Sequence, residues 1–247
     1  MEQQRFTVKF AETEAEKRAT YALRYNDMLL EYRKDVERVD GLDVTPCDAY
    51  AKQVICIDNE NGEVVGCYRI ITSDELPQGE PFVCEEEFVL DTLKGTGETI
   101  AELSRAVVKK EYRNSVVLML LLRFIVQYIR EKGYRFIVGD ASFFGVDKMQ
   151  YAKEITYLGK YYAADEKYQI KSREKEQINL ELLEELALAD AREVKRALPA
   201  LIRAYLSFGA KFSKESFTDY DFGSVDVFVL MDTQDYNEAY INRLLRL

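Results

Sequence analysis

The sequence predicts an α/β protein in which one mixed β-sheet is flanked by helices. Two β-rich runs lie close together early in the chain, at residues 53–58 and 63–71. A strand-like run at residues 99–108 leads through a charged turn into a long apolar run with helical character. A third β-rich run returns late, at residues 225–231. Strands and helices mixed in this order imply a single layered α/β core.

The first half of the chain carries the clearer element signals. Residues 7–10 predict a short strand and residues 12–28 a helix. Asn59-Glu60-Asn61-Gly62 joins the two early β-rich runs as a four-residue hairpin loop, so these strands should be antiparallel. The helix at residues 115–132 should stop at Gly133, before a further strand at residues 134–139.

The second half is mostly helical and heavily charged from residue 148 to about residue 206. Within it, residues 174–190 resemble a surface helix. A helical tail follows the late strand from Tyr236 onwards. The chain shows no internal repeat and no low-complexity linker, so we expect residues 1–247 to form one domain, with a charged helical insertion at about 148–197.

Composition excludes several classes of function. The chain has 247 residues, of which 47% are hydrophobic, and this is ample for a sizeable core. Its net charge of −10 argues against binding to nucleic acid, because phosphate neutralisation needs a basic surface. There is no histidine, so catalysis must rely on Glu, Asp, Tyr, Lys, Ser or Cys.

The four cysteines predict neither a disulfide framework nor a metal site. Cys47, Cys56, Cys67 and Cys84 contain no CxxC pair, and no histidine is present to complete a common zinc site. We interpret them as reduced core thiols. The longest apolar run, residues 116–122, is too short to span a bilayer, and the N-terminus lacks the features of a secretory signal. Cytoplasmic residence is therefore expected.

The strand predicted at residues 99–108, with the sequence TIAELSRAVV, is the best candidate for a catalytic segment. Glu102, Ser104 and Arg105 interrupt an otherwise apolar run. In a regular strand, Glu102 and Ser104 would share one face while Leu103 and Arg105 would lie on the other. One face would then present a carboxylate beside a hydroxyl.

Several segments match the motifs of one enzyme family. They are Leu23-Arg24-Tyr25, VVGCYRII at residues 64–71, FVCEEEFVL at residues 82–90 and IAELSRAVV at residues 100–108. Together they resemble GNAT-superfamily N-acyltransferases, in particular acyl-homoserine-lactone synthases and the bacterial amino-acid N-acyltransferases that make ornithine or glycine lipids. The resemblance implies a GNAT-like fold.

Two C-terminal segments distinguish between these relatives. LPALIRAYLSFGAKF at residues 198–212 and YDFGSVDVFVL at residues 220–230 resemble the ornithine-type enzymes, and lactone synthases usually lack them. We therefore expect residues 198–247 to be a family-specific segment. The implied activity is transfer of a long fatty acyl group to the α-amine of an amino acid such as ornithine or glycine, as in lipid biosynthesis.

Two alternatives remain open for the function. In the first, the chain would be a lactone synthase that uses S-adenosylmethionine. In the second, it would be a non-catalytic protein that binds acyl carrier protein or lipid and retains the fold. The long C-terminal segment disfavours the first alternative, and the intact ELSR sequence disfavours the second.

The resemblance assigns the reacting groups to the ELSR strand. Amide formation needs a neutral amine, and an α-ammonium is mostly protonated near neutrality, so a base is required. Glu102 is the candidate base, acting directly or through water. Ser104 would orient that water or the amine, and Arg105 completes the catalytic set.

The resemblance also implies a site for the acceptor. Arg24, Arg69 and Arg105 match arginines of the family, and at least one of them would bind the acceptor carboxylate in a bidentate manner. Asp48 matches an acidic family position, where it would bind a substrate ammonium or pair with one of these arginines. Gln53 departs from the family, which often has histidine there.

The predicted donor site follows the ELSR strand. Backbone amides at Ala106, Val107 and Val108 would hold the pantetheine arm and polarise the thioester carbonyl. No permanently bound cofactor is expected, because the acyl donor is itself a substrate.

The turn at residues 112–115, Tyr-Arg-Asn-Ser, lacks the glycine of coenzyme-A-dependent members. Glycine lets backbone amides approach a pyrophosphate closely, so its absence favours an acyl carrier protein over acyl-coenzyme A. Lys109, Lys110 and Arg113 would suit the acidic surface of that partner. Membrane association would be peripheral at most.

Plainer interpretations exist for the same residues. Glu102 and Arg105 could be structural ion-pair partners near a sheet edge. The basic turn of Lys109, Lys110 and Arg113 could be no more than a solvated loop.

Overall fold

The computed structural model describes residues 5–177 and 191–246. The chain divides into two compact units. The first unit contains Met1–Glu80, Leu103–Gly133 and Ile241–Leu247, and the second contains Pro81–Glu102 and Tyr134–Tyr240. Because two compact units can still fold as one cooperative domain, the single domain expected for residues 1–247 stays a prediction.

The first unit contains an antiparallel hairpin with a further strand on each side. Strands β1 (Phe6–Phe10), β2 (Lys52–Asp58) and β3 (Glu63–Thr72) pair antiparallel in that order. Residues 103–108 of strand β4 (Ile100–Val108) lie next to β3. The predicted hairpin is therefore confirmed, including the loop between Asp58 and Glu63.

Helix α1 (Glu14–Arg24) begins at a capping box. Thr13 accepts a hydrogen bond from the Glu16 N–H, and the Glu16 carboxylate accepts one from the Thr13 N–H, so two N–H groups at the helix start are satisfied. The helix then passes into a π-helical turn, Tyr25–Leu29. Such turns are rare, and they are frequent at functional sites.

The apolar helix α2 (Val117–Lys132) ends as the sequence predicts. Gly133 follows it with φ of 73°, a left-handed conformation that glycine adopts without a Cβ penalty. One face of α2 is buried, including Leu121 and Ile125.

The second unit has both parallel and antiparallel strand pairs. The first three residues of β4, Ile100 to Glu102, pair in parallel with β5 (Phe136–Phe144). Strand β5 pairs antiparallel with β7 (Ser224–Asp232), which pairs antiparallel with β6 (Lys211–Asp219). Strands in both orientations with helices packed against them confirm the predicted mixed α/β fold.

Strand β6 is absent from the sequence prediction. Its sequence, KFSKESFTD, has a register shift against β7 between Phe212 and Ser216. Such an irregularity interrupts the two-residue alternation by which strands are recognised. The predicted strand at residues 134–139 is real but longer, because β5 continues to Phe144.

The helices of the second unit follow the charged second half of the sequence. Apart from the short helix Asp91–Lys94, they are α3 (Ala152–Tyr161), α4 (Ala191–Ala197), α5 (Ala200–Phe208) and α6 (Glu238–Leu244), and residues 241–244 of α6 belong to the first unit. Of the surface helix predicted at residues 174–190, residues 174–177 are not helical, and the others lie outside the described residues.

Two smaller predictions are also answered. All four cysteines are free and buried, as expected for core thiols. Among the residues that the structure describes, no helix is long and apolar enough to cross a membrane.

Candidate active site

Arg24 lies at the centre of a buried network of charges in the first unit. Its side chain is 0% exposed at the end of α1, and Nε donates a hydrogen bond to Asp43 Oδ2 at 2.8 Å. Nη1 and Nη2 donate to Asp48 Oδ1 and Oδ2 at 2.8 and 3.0 Å. A guanidinium that satisfies two carboxylates in this way fixes both in place. The charge cluster, as we call it, contains Arg24, Asp43, Asp48, Arg69 and Arg105.

Arg69 is the member of the charge cluster that lies on β3, and one of its guanidinium nitrogens makes no hydrogen bond within the described residues. Its Nε donates to Ser104 Oγ at 2.9 Å, and its Nη1 donates to Thr45 Oγ1 at 2.8 Å. Nη1 also lies 3.6 Å from Asp48 Oδ1. The third nitrogen, Nη2, is buried and has no hydrogen-bond partner among the described residues. A buried donor in this state is suited to an anionic ligand.

Arg105 corrects the expected orientation of the ELSR side chains. Its Nε donates to Asp43 Oδ2 at 3.1 Å, and its backbone has φ of 53°, which lies in the left-handed region. This conformation breaks the regular alternation of β4. Ser104 and Arg105 therefore both contact members of the charge cluster, and the prediction that they lie on opposite faces is wrong.

The aspartates of the charge cluster are ionised. Burial opposes their ionisation, but hydrogen bonds and charge from Arg24 outweigh it and lower the pKa of Asp48 to about 2. Arg105 and Arg24 lower the pKa of Asp43 in the same way against burial. Burial and the neighbouring Arg69 lower the pKa of Arg105, although an arginine stays cationic at any physiological pH. Three cations and two anions leave a net charge of +1.

Gln53 extends the charge cluster from strand β2. Its Nε2 donates to Asp48 Oδ1 at 2.9 Å, while its Oε1 is buried with no hydrogen-bond partner among the described residues. The glutamine that stands where the family often has histidine therefore contacts Asp48 directly.

Glu102 has a set of partners that sequence reasoning missed. It is 1% exposed, and its Oε2 and Oε1 accept hydrogen bonds from the Val83 and Cys84 N–H groups at 2.9 and 2.6 Å. These N–H groups open the 3₁₀ turn Val83–Glu86, so the carboxylate caps that turn. Both N–H donors stabilise its negative charge. The role of Glu102 as a base stays a prediction.

An unpredicted set of carboxylates lies in the second unit. Single oxygens of Glu87, Asp219 and Asp226 lie within 4.8 Å of one another, close enough to hold a cation. Burial and the charges of Asp140, Asp226 and Asp219 raise the pKa of Glu87 to about 11. Burial and Asp226 likewise raise the pKa of Asp140 well above its usual value. Glu87 therefore holds a proton at neutral pH.

The basic turn is largely neutralised by the protein itself. Arg113 Nη1 and Nη2 donate to Glu31 Oε1 and Oε2 at 2.8 and 2.9 Å. Lys109 Nζ donates to Glu63 Oε2 at 2.8 Å. Within the described residues, Lys110 is the member of this trio that has no carboxylate partner. The turn therefore offers a carrier protein less free positive charge than its sequence indicates.

The end of β4 and the following turn are only partly buried. Val107 is buried, Ala106 and Val108 are half-buried, and the Lys109 N–H donates to Val65 O at 2.9 Å. Asn114 has φ of 71°, the conformation that glycine provides in such turns, but it keeps its Cβ. Pantetheine binding by the amides of residues 106–108 stays a prediction.

Comparison with known proteins places this geometry in context. Residues 23–123 match the model of the acetyltransferase (GNAT) domain. An L-ornithine N(alpha)-acyltransferase of Rhodobacter capsulatus is 27% identical over 243 residues, covering 95% of this chain and 93% of that protein. An enzyme of the same name from Brucella abortus is 23% identical over 245 residues, covering 95% of this chain and 87% of that protein.

Solved structures share the fold at lower sequence identity. The coenzyme-A-dependent acyl-homoserine lactone synthase MesI has a TM-score of 0.50 and 15% identity, covering 98% of this chain and 96% of that one. The synthase BjaI with MTA has a TM-score of 0.50 and 12% identity, covering 94% of this chain and 81% of that one. The predicted GNAT-like fold is thereby confirmed. With a match to the GNAT domain at residues 23–123 and relatives named as acyltransferases over nearly the whole chain, the protein is an acyltransferase that contains a GNAT domain.

Proposed function

We propose that this acyltransferase moves a long-chain fatty acyl group from the thioester of an acyl carrier protein to the α-amine of an amino acid, with ornithine as the first candidate acceptor. The names of the relatives from Rhodobacter capsulatus and Brucella abortus support an amino-acid acceptor. The product would be an N-acyl amino acid, which is a lipid or a precursor of one.

The observation that carries this proposal is the unsatisfied Nη2 of Arg69 in a buried cluster of net positive charge. A free amino acid presents a carboxylate and an ammonium a few ångströms apart. The carboxylate would accept a hydrogen bond from Arg69 Nη2, and Asp48 supplies negative charge for the ammonium. Burial makes both interactions stronger than they would be at the protein surface.

The reaction removes two protons from the acceptor nitrogen and supplies one to the leaving thiolate, so one proton is released overall. Glu102 takes a proton from the α-ammonium, directly or through water, and the freed amine attacks the thioester carbonyl carbon. The nitrogen of the tetrahedral intermediate then gives up its second proton as the intermediate collapses: the C–N bond is kept, the C–S bond breaks, and the leaving thiolate takes up one proton. The products are the N-acyl amino acid and the carrier thiol.

The capping hydrogen bonds of Glu102 are compatible with this role. A carboxylate oxygen has two lone pairs, so the N–H that it accepts from Val83 or Cys84 does not by itself prevent it from accepting a proton. N–H donors favour the ionised form of a carboxylate, and only that form can accept a proton. Ser104 is oriented by its hydrogen bond from Arg69 Nε, so its hydroxyl can position the amine or a water molecule.

The carrier-protein donor is supported by the turn before α2. A phosphodiester needs less close backbone approach than the pyrophosphate of coenzyme A, and the Cβ atoms of residues 112–115 restrict that approach. Backbone amides at Ala106, Val107 and Val108 would bind the pantetheine arm and polarise the thioester carbonyl.

Product analysis tests the proposal directly. The purified protein is incubated with palmitoyl-acyl carrier protein, or with palmitoyl-coenzyme A in parallel, and with a pool of amino acids. Mass spectrometry should detect an N-palmitoyl amino acid with the carrier-protein donor. Release of methylthioadenosine from added S-adenosylmethionine would instead indicate a lactone synthase. Binding of acyl carrier protein without acyl consumption would contradict the proposed activity.

A further inference from the structure

Helices α4 and α5 form a basic surface that the proposed chemistry does not use. Arg192, Lys195 and Arg196 of α4 and Arg203 of α5 line a shallow pocket of about 510 Å³. All four side chains are exposed. We call this set the basic surface. A concentration of four cations is unusual in a chain with a net charge of −10.

The positive charge of the basic surface is not neutralised by any carboxylate of residues 5–177 and 191–246. None of its four side chains has a carboxylate partner in the part of the chain that the structure describes. Glu193 is the single acidic residue of α4. Arg203 is fixed in place, because its Nη1 donates to Arg196 O at 3.1 Å and also to Leu198 O. Lys109 and Arg113 of the basic turn each have a carboxylate partner, whereas these four cations have none within the described residues.

The two helices offer no apolar face to a lipid bilayer. Membrane-surface helices bury a hydrophobic face in the lipid, in addition to attracting anionic headgroups. The large apolar side chains of α4 and α5 and of the link between them are instead mostly buried inside the second unit. The buried ones are Val194, Leu198, Ile202, Tyr205 and Phe208. An acidic protein surface therefore fits this region better than a membrane does.

We propose that the basic surface is the docking site for the acidic acyl carrier protein. This inference rests on the proposed function, in which acyl carrier protein is the acyl donor. Unpaired cations around a concave surface complement the acidic face of a carrier protein. Such complementarity mainly accelerates encounter, so its contribution falls as salt screens the charges. A donor without a protein part would not use the basic surface.

Charge reversal with two donors tests this docking site. The variant Lys195→Glu/Arg196→Glu is compared with Lys132→Glu/Lys153→Glu, which makes the same change in net charge at exposed lysines of α2 and α3. For each, kcat/KM is measured with palmitoyl-acyl carrier protein and with palmitoyl-pantetheine. The test variant should lose about tenfold or more with the carrier protein, through KM, and remain near wild type with palmitoyl-pantetheine. The control variant should resemble wild type with both donors.

Binding measurements separate this proposal from the proposed function. Titration of fluorescent holo-acyl carrier protein needs no turnover, so it reports on docking even if no N-acyl amino acid forms. Weaker binding by the test variant alone, with a wild-type affinity that falls as salt rises, supports the basic surface. Equal binding by both variants overturns it, whatever the enzyme's activity. The proposal is also overturned if the test variant binds the carrier protein as wild type does but no longer binds anionic phospholipid vesicles. In that case the basic surface binds a membrane.

Discussion

Arg24 and Asp48 form a bidentate ion pair in which both side chains are almost completely buried, at 0% and 2% exposure. Their two hydrogen bonds measure 2.8 and 3.0 Å. Asp48 lies in the 3₁₀ turn Pro46–Ala49 and also accepts hydrogen bonds from the N–H and the hydroxyl of Thr45. The pair thus ties the end of α1 to the loop before β2, so the geometry of the charge cluster depends on it.

Replacing Asp48 with asparagine should destabilise the protein strongly. The change leaves Arg24 buried with one of its two carboxylates removed, and an uncompensated buried charge costs about 3 kcal/mol or more. Urea unfolding of Asp48→Asn against wild type measures the loss. The exposed variant Asp35→Asn, which removes a surface partner of Arg33, should change stability by less than about 1 kcal/mol.

The same aspartate gives an acid-side signature. Its pKa is lowered to about 2 in the folded protein from an ordinary value of 3.8, so its ion pair contributes fully above about pH 4 and is lost as pH falls towards 2. Wild type should lose stability faster than Asp48→Asn over this window. Parallel stability curves for the two proteins would show that Asp48 has no such linkage.

Glu102→Gln should lower turnover by about 10²-fold to 10⁴-fold if Glu102 is the base. The glutamine also disturbs the Val83–Glu86 turn, because an amide NH₂ cannot accept the N–H that a carboxylate oxygen does. Glu85→Gln is the matched control, since Glu85 Oε1 accepts the Phe82 N–H at 2.9 Å in the same turn. Steady-state kinetics and thermal melting are measured on both variants.

The two roles of Glu102 give different results. If Glu102 is the base, the kcat of Glu85→Gln should stay close to that of wild type. Glu102→Gln should then lose both its turnover and the acid limb of its pH–rate profile. If both variants lose turnover equally and only in proportion to their loss of folded protein, Glu102 is a structural cap and another group removes the proton.

Arg69→Lys should raise KM for the amino acid by about tenfold to a hundredfold, because lysine keeps the charge but loses the fork that provides Nη2. The KM for the acyl donor should stay within about twofold. Ser104→Ala, which removes only the partner of Arg69 Nε, is the matched control and should affect the acceptor KM less. An unchanged acceptor KM in Arg69→Lys would mean that the acceptor carboxylate binds elsewhere.

Much of this fold was predictable because its signals are local. Asn59 to Gly62 specifies the hairpin loop, and Gly133 specifies the end of α2, each through backbone preferences that act within a few residues. The ELSR strand was also recognised correctly as β4.

The remaining features depend on partners far away in sequence. Asp43 joins Arg24 and Arg105 across 19 and 62 residues, and nothing in its own surroundings marks it as a ligand of two arginines. The left-handed φ of Arg105 breaks the alternation on which its predicted orientation depended. Glu87 and Asp226 lie inside two of the matched motifs, and that position was the one available signal for the acidic set in the second unit.

Glu87→Gln should remove a loss of stability that wild type shows at alkaline pH. The pKa of Glu87 is raised to about 11 in the folded protein from an ordinary value of 4.5, chiefly through burial and the charge of Asp140. The folded state therefore binds a proton that the unfolded state releases, and stability must fall as pH rises from about 4.5 towards 11.

Glutamine resembles the protonated carboxyl in shape and cannot ionise, so the urea midpoint of Glu87→Gln should fall less than that of wild type between about pH 6 and pH 9. The exposed variant Glu80→Gln is the control, and EDTA in every sample keeps divalent cations from neutralising the carboxylates. Wild type and Glu87→Gln losing stability in parallel would show that Glu87 is already ionised in the folded protein.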